Sequence, residues 1–256
     1  MSFNVAVVVA IVIIVTSLIA LAIIIAARQH AAREEELKQA ASARGWRFES
    51  SSEKGWRVHR WSGTTDGVPW IAESITRVSG GSHAKHRTFI GRWHGTFSPG
   101  INAPIAVMGV PKGKEMTATD VATGDSWVAK MAQKAVGFAF DKAVDVYFGD
   151  VIGKEVDAGA MHRIDKQKIP GFIVMAADKD EGERILTQGF EKALVDASND
   201  PASIMAKDDR PWILLRPHAV SLARMQRLRD TAELESFVRT GVALTRVFKF
   251  GRIGGS

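Results

Sequence analysis

Residues 172–200 read FIVMAADKDEGERILTQGFEKALVDASND, and this stretch decides the fold class. Phe172-Ile-Val-Met175 is a short run of β-prone apolar residues, which suits a strand. Directly after it, Asp178 or Asp180 stands three residues ahead of Glu181 or Glu183. That is the spacing at which a carboxylate caps the free N–H groups of a helix start. Leu186, Phe190, Ala193, Leu194 and Ala197 then recur at helical spacing and give the helix one apolar face. Beyond Asn199-Asp-Pro201, Trp212 to Arg216 and Val220 to Arg224 read as two strands turned at Pro217-His218. Asp230 with Glu233 repeats the capping signature before a last helix, in which Leu234, Phe237, Val238, Gly241, Leu244, Thr245 and Phe248 share one face. The order β-α-β-β-α over 172–250 predicts an α+β fold. Residues 251–256, GRIGGS, carry no structural signal and are expected to be a disordered tail.

Upstream, the Gly-rich polar stretch 151–171 reads as a linker. Before it, Asp120 or Thr123 caps an expected helix running to about Phe148, with Trp127, Met131, Ala135, Phe138, Phe140 and Val144 on a broad apolar face. Prolines and glycines bracket the apolar run Ile105 to Val110, which predicts one short strand between loops. From Trp46 onward, Trp46–Phe48, Trp56–Trp61, Val68–Ile71 and Arg87–Trp93 are β-prone runs separated by SSEKG, TTDG and GGSHAKH, an antiparallel meander. Five of the seven tryptophans fall here. They alternate with Arg, His and Ser, so the aromatics are expected to form the core and the basic residues to face water. The soluble part thus divides into a Trp-rich antiparallel lobe with a helix over 46–150, the linker 151–171, and the lobe 172–250.

The N-terminal part has a different solvent. Val5 to Ala27 is 23 residues without a charge. At about 1.5 Å per residue it reaches roughly 34 Å, enough to cross a hydrocarbon core of about 30 Å. A cleaved signal peptide needs a basic start and an apolar core of about 7–15 residues; Met-Ser-Phe-Asn has no basic side chain and this core is longer. Residues 1–27 are therefore read as a retained single-pass transmembrane anchor. Residues 28–45 are rich in Ala, Glu, Lys and Gln and predict a helical stalk. Leu37 is its only large apolar residue, so no coiled-coil seam is present and the oligomeric state is left open. Arg28, Arg33, Lys38, Arg44 and Arg47 follow the span and only the α-amine precedes it. The positive-inside rule then predicts the N-terminus out and the C-terminal domain in the cytoplasm, at the inner membrane.

The whole formal charge of +6 lies outside the anchor, and the pI is about 9.6. A basic domain beside a cytoplasmic leaflet is drawn to anionic lipid at about 1 kcal/mol per Lys or Arg near the surface. No recognition helix, zinc-finger spacing or aromatic-basic RNA motif occurs, so no nucleic acid is expected. Zero cysteines removes thiolate chemistry and Cys-based metal sites.

One anchor, then G-x-x-D-G at Gly63 to Gly67, W-I-A-E at Trp70 to Glu73, FIVMAAD, a helix, WILL and a final amphipathic helix together give a resemblance. The chain resembles uncharacterised bacterial single-span membrane proteins carrying a domain of unknown function. The resemblance covers most of the tail; it implies localisation and fold and supplies no catalytic residue.

The strongest candidate for chemistry is His83-x-x-His86 with His94, since three imidazoles and an open position suit a catalytic zinc. Lys85 and Arg87 stand between these histidines and would repel a dication, and no H-E-x-x-H accompanies them. Lys85 and Arg87, and the cluster Arg224, Arg227 and Arg229, are instead the candidate contacts for an anion or a lipid headgroup. GVPKGKEM at 109–116 and GDVIGKEV at 149–156 lack the P-loop pattern, and no G-x-S-x-G elbow occurs. Asp178, Asp180, Glu181 and Glu183 are explained by helix capping. The expectation is a non-enzymatic, cofactor-free binding or scaffolding module held at the bilayer, with a protein or anionic lipid as partner. The alternatives are a metal-dependent hydrolase using the loop histidines and an exported envelope protein facing the periplasm.

Overall fold

The computed structural model describes residues 2–53, 55–79, 86–97, 100–110, 161–164, 169, 171–201, 203–206, 210–226, 228 and 230–250. The chain forms two compact units, Met1–Phe48 and Glu49–Ser256. The expected helix 120–148, most of the linker, the phosphate-loop candidates other than Gly109 and Val110, and the tail 251–256 lie outside the described residues.

The first unit is dominated by α1 (Ser2–Ser42), in which the segments expected as anchor and stalk form one unbroken helix. Val7–Ser42 is long and apolar enough to cross a membrane, with a mean hydropathy of 3.3 over its most apolar window. None of that window is buried, so it is not the core helix of a folded domain. Thr16 returns its hydroxyl to the carbonyls of Val12 and Ile13, which satisfies the one threonine of the apolar run within the helix. The helix stops because Gly45 adopts a left-handed φ of 70°. The Trp46 N–H then reaches the Ala41 carbonyl and the Gly45 N–H the Ser42 carbonyl, a Schellman termination.

The second unit is built on a nine-stranded sheet. Its strands are β1 (Arg47–Glu53), β2 (Trp56–Thr65), β3 (Val68–Ser79), β4 (His86–Thr96), β5 (Ile105–Gly109), β6 (His162–Arg163), β7 (Phe172–Ala176), β8 (Trp212–Arg216) and β9 (Ala219–Arg224). The spatial order is β1-β2-β3-β4-β9-β8-β5-β7-β6, antiparallel throughout β2–β9. Among the described residues its helices are α2 (Lys179–Ile185), a π-helical turn (Leu186–Phe190), α3 (Glu191–Asn199), a 3₁₀ turn (Ile204–Ala206) and α4 (Thr231–Phe250). The α+β class read from residues 172–200 is the class observed.

Local chemistry sets the turns and starts. Asp66 and Gly67 both have positive φ, 52° and 75°, between the paired ends Thr65 and Val68. That is a two-residue type I′ hairpin, whose twist matches the strands. The Asp178 side chain accepts from the Glu181 N–H at 3.0 Å, and the Asp230 side chain from the Glu233 N–H at 2.8 Å, so both expected caps form.

Two expectations are corrected. The segments 46–150 and 172–250, allowed for as two lobes, share one sheet, because β4 pairs with β9 and β5 pairs with both β7 and β8. The supposed linker contributes β6, and Met161, Ile164 and Ile169 beside it are buried. These apolar residues escape notice in a polar stretch because a two-residue edge strand has no periodicity to read.

The antiparallel register assigns every strand residue to one of two faces. One face carries Trp61, Ala72, Trp93, Leu222 and Arg224 and is covered by α4. A Cβ on Gly241 would lie 2.5 Å from the Trp93 ring, so the absent side chain of this helix residue is the seat for the indole. Leu234, Phe237, Val238, Leu244, Thr245 and Phe248 are all buried, as the stripe predicts. Around β5, β8 and β9 the other face is covered as well, by a cluster of Ala106, Met108, Met161, Met175, Leu214 and Ala223. Continuous burial along these strands follows from cover on both sides. On β2, β3 and β4 the second face carries a groove, in which Ile71 is exposed while Ile75 and Ile90 are buried.

Candidate binding groove on the open sheet face

Three cross-strand rows build the groove. Val58, Ile75 and Ile90 are register partners in the first, Arg60, Glu73 and Arg92 in the second, and Ser62, Ile71, His94 and Ser221 in the third. Trp56 and Ser51 extend the lining, and the cavity measures about 400 Å³. The sequence forms this surface because strict alternation along β2 and β3 sends Trp61, Ala72 and Trp70 to the helix-covered face and their neighbours to the other.

Glu73 is the centre of the second row. It is buried to 4% exposure, where a lone carboxylate would be strongly disfavoured. The Arg60 Nε donates to its Oε1 at 2.7 Å, and the Arg92 Nε donates to its Oε2. Arg92 is itself buried, whereas the Arg60 side chain is 49% exposed. The row therefore joins a structural ion pair to a guanidinium that meets solvent.

His94 sits one row away. Its Nδ1 lies 2.9 Å from the Ser221 Oγ and 3.5 Å from an Arg216 terminal nitrogen. A guanidinium only donates, so Nδ1 accepts and the ring proton belongs on Nε2. Burial, with Arg216 and Arg92 close by, lowers its pKa to about 4 against the opposing pull of Glu73. The imidazole is neutral at pH 7, and the positive potential of the two arginines outweighs the carboxylate there. The Ser221–His94 contact is not a nucleophile–base pair open to substrate, because Ser221 is 2% exposed within the sheet.

The sequence candidates fare differently. His86 and His94 stand eight residues apart on β4, which places them roughly 27 Å apart at about 3.4 Å per residue. Zinc–nitrogen bonds are about 2 Å, so one ion cannot take both, and the three-histidine site is ruled out by strand geometry. Among the described residues no group of three His, Asp or Glu is placed to hold a metal. Arg224 is also corrected as a headgroup contact. It is 2% exposed beneath α4, forms an ion pair with Glu233 and lies 5.9 Å from the Phe237 ring centroid. Its Cβ direction follows from strand alternation, which puts it on the covered face beside Leu222 (the register opposite Gly91). Arg87 is exposed on β4 opposite Val78. His83, Lys85, Arg227 and Arg229 lie outside the described residues. Of the helix-start acids, Asp178 caps α2, and the Glu181 carboxylate accepts from the N–H groups of Asn102 and Ala103.

Arg60, Arg92, Arg216 and Ser221 belong to no sequence motif, and Glu73 closes W-I-A-E with no site role assigned to it. One signal was present: a single acid inside the β-prone run W-I-A-E, which must meet a cation if its strand is covered or paired. Comparison of the chain with protein-family models, with curated proteins and with solved structures found no match.

Proposed function

We propose that this chain is a single-span inner-membrane protein that holds a basic α+β binding module at the cytoplasmic face of the bilayer. The observation that carries the reading is the wholly exposed apolar face of α1 on every side, continued without a break into a charged stalk. Tethering raises the local concentration of a module and orients it, so a modest affinity suffices for a partner at the same surface. The groove supplies a concave surface of mixed apolar and charged character, suited to binding. The arginines that follow the span set the orientation under the positive-inside rule, with the N-terminus out. The resemblance to bacterial single-span membrane proteins fits the same placement.

The cysteine-free sequence makes the test direct. Ser2→Cys and Ser52→Cys are made separately and treated in spheroplasts with a membrane-impermeant maleimide. Labelling of Ser2→Cys in intact spheroplasts, and of Ser52→Cys only after permeabilisation, is the expected outcome. The reverse pattern places the module in the periplasm, and release of the chain by alkaline carbonate overturns the anchor itself.

A further inference from the structure

The groove on the second sheet face combines an apolar floor with an excess of positive charge, since Arg77 lies 4.7 Å from the Trp56 ring centroid and Arg216 3.5 Å from the His94 Nδ1 beside the lining groups. Trp56, Val58, Ile71 and Ile75 line it, and Ile71 is 41% exposed, an unusual state for a large aliphatic side chain in the middle of a strand. Among the charged lining groups Arg60 and Arg92 are cationic, Glu73 is anionic and His94 is neutral at pH 7. The Glu73 bond uses one of the five N–H donors of the half-exposed Arg60 guanidinium.

We propose that this groove binds an anionic amphiphile with one carboxylate and one acyl chain, the carboxylate at Arg60 and the chain along Trp56, Val58, Ile71 and Ile75. An anion is drawn by this positive excess. A dianionic phosphate would set its second charge beside Glu73, where like charges repel. The cavity of about 400 Å³ lies near the small end of ligand sites, the size for one chain rather than the two of a phospholipid. A planar carboxylate also matches the guanidinium fork. The proposal rests on the reading of this protein as a binding module and is independent of its orientation.

The test uses the full chain in phosphatidylcholine nanodiscs, with tryptophan fluorescence read during titration by ω-bromoundecanoate, whose bromine quenches indoles in contact. Saturable quenching is expected, and Trp56→Phe should remove most of it. Arg60→Gln should weaken apparent binding about tenfold, Arg60→Lys should restore the larger part, and uncharged ω-bromoundecanol should bind about tenfold more weakly than the acid. Equal titration by acid and alcohol overturns the proposal, as does parent-like binding by Arg60→Gln or quenching that survives in Trp56→Phe. Circular dichroism shows that each variant is folded, and the exposure of Arg60 predicts that both of its variants are. Failure of the anchor is seen separately, as failure of the chain to enter nanodiscs.

Discussion

At the scale of single residues, the second-face chemistry turns on how much of each charge is buried. Glu73→Gln breaks the ion pair with the buried Arg92, a change that typically costs about 3 kcal/mol. Arg60→Gln removes the exposed partner of the same carboxylate and should cost about 1 kcal/mol or less. Urea melts of the two variants should therefore differ by at least a factor of two in lost stability; equal losses would mean that the Glu73–Arg92 pair is not the anchor of the row. His94 adds a pH dependence of known sign. Its pKa is lowered to about 4 in the folded protein against 6.5 as the ordinary value. Between those values the unfolded chain binds a proton that the folded chain refuses, so stability is complete above about 6.5 and is lost as pH falls toward 4. With partial solvent screening the loss amounts to roughly 2 kcal/mol. Melts of the parent between pH 7.5 and 4 should show this decline, and His94→Gln should flatten it; an unchanged slope in the variant assigns the decline to other groups.

At the scale of elements, local signals decided what was legible. The final helix was readable residue by residue, because one stripe of seven positions had a single helical face and all seven are buried. The hairpin at Asp66-Gly67 was marked by its turn dipeptide, and that at Pro217-His218 by the proline between two β-prone runs. What joins β4 to β9 was not legible, since those strands are more than a hundred residues apart and their pairing is fixed by which faces must be buried together. The candidate groove was hidden for the same reason: Arg60, Glu73, Arg92 and Ser221 meet only when four strands are set in register. The histidines are set aside as a metal site because Lys85 and Arg87 stand among them, and strand β4 gives a second reason by holding His86 and His94 far apart. Packing between elements yields a sharp prediction at Gly241, where α4 lies against Trp93. Alanine would gain up to about 1 kcal/mol in helix propensity, but its Cβ would fall 2.5 Å from a fully buried indole. Overpacking of that kind costs about 1–3 kcal/mol, so Gly241→Ala should lower the melting temperature despite the better helix former. A raised melting temperature would show that Trp93 has room to move.

At the scale of the whole molecule, the two units differ in the surface they expose. Residues 49–256 contain nearly all of the sheet and the helices that cover it, while α1 presents its apolar surface outward on all sides. A chain beginning at Gly45 should consequently be soluble and should melt cooperatively. Removal of 1–44 takes away Arg28, Arg33, Lys38 and Arg44 with Glu34, Glu35 and Glu36, so the formal charge falls only from +6 to +5. The truncated protein therefore keeps the basic excess, and its attraction to a membrane becomes purely electrostatic. It should co-sediment with vesicles containing anionic lipid at low ionic strength and detach at about 1 M salt, where the Debye length shrinks to about 3 Å. The full chain should stay with the same vesicles at that salt, because burying an apolar span is not screened. Retention of both at high salt would mean that the module itself inserts apolar surface into the bilayer. Loss of both would mean that α1 does not span it.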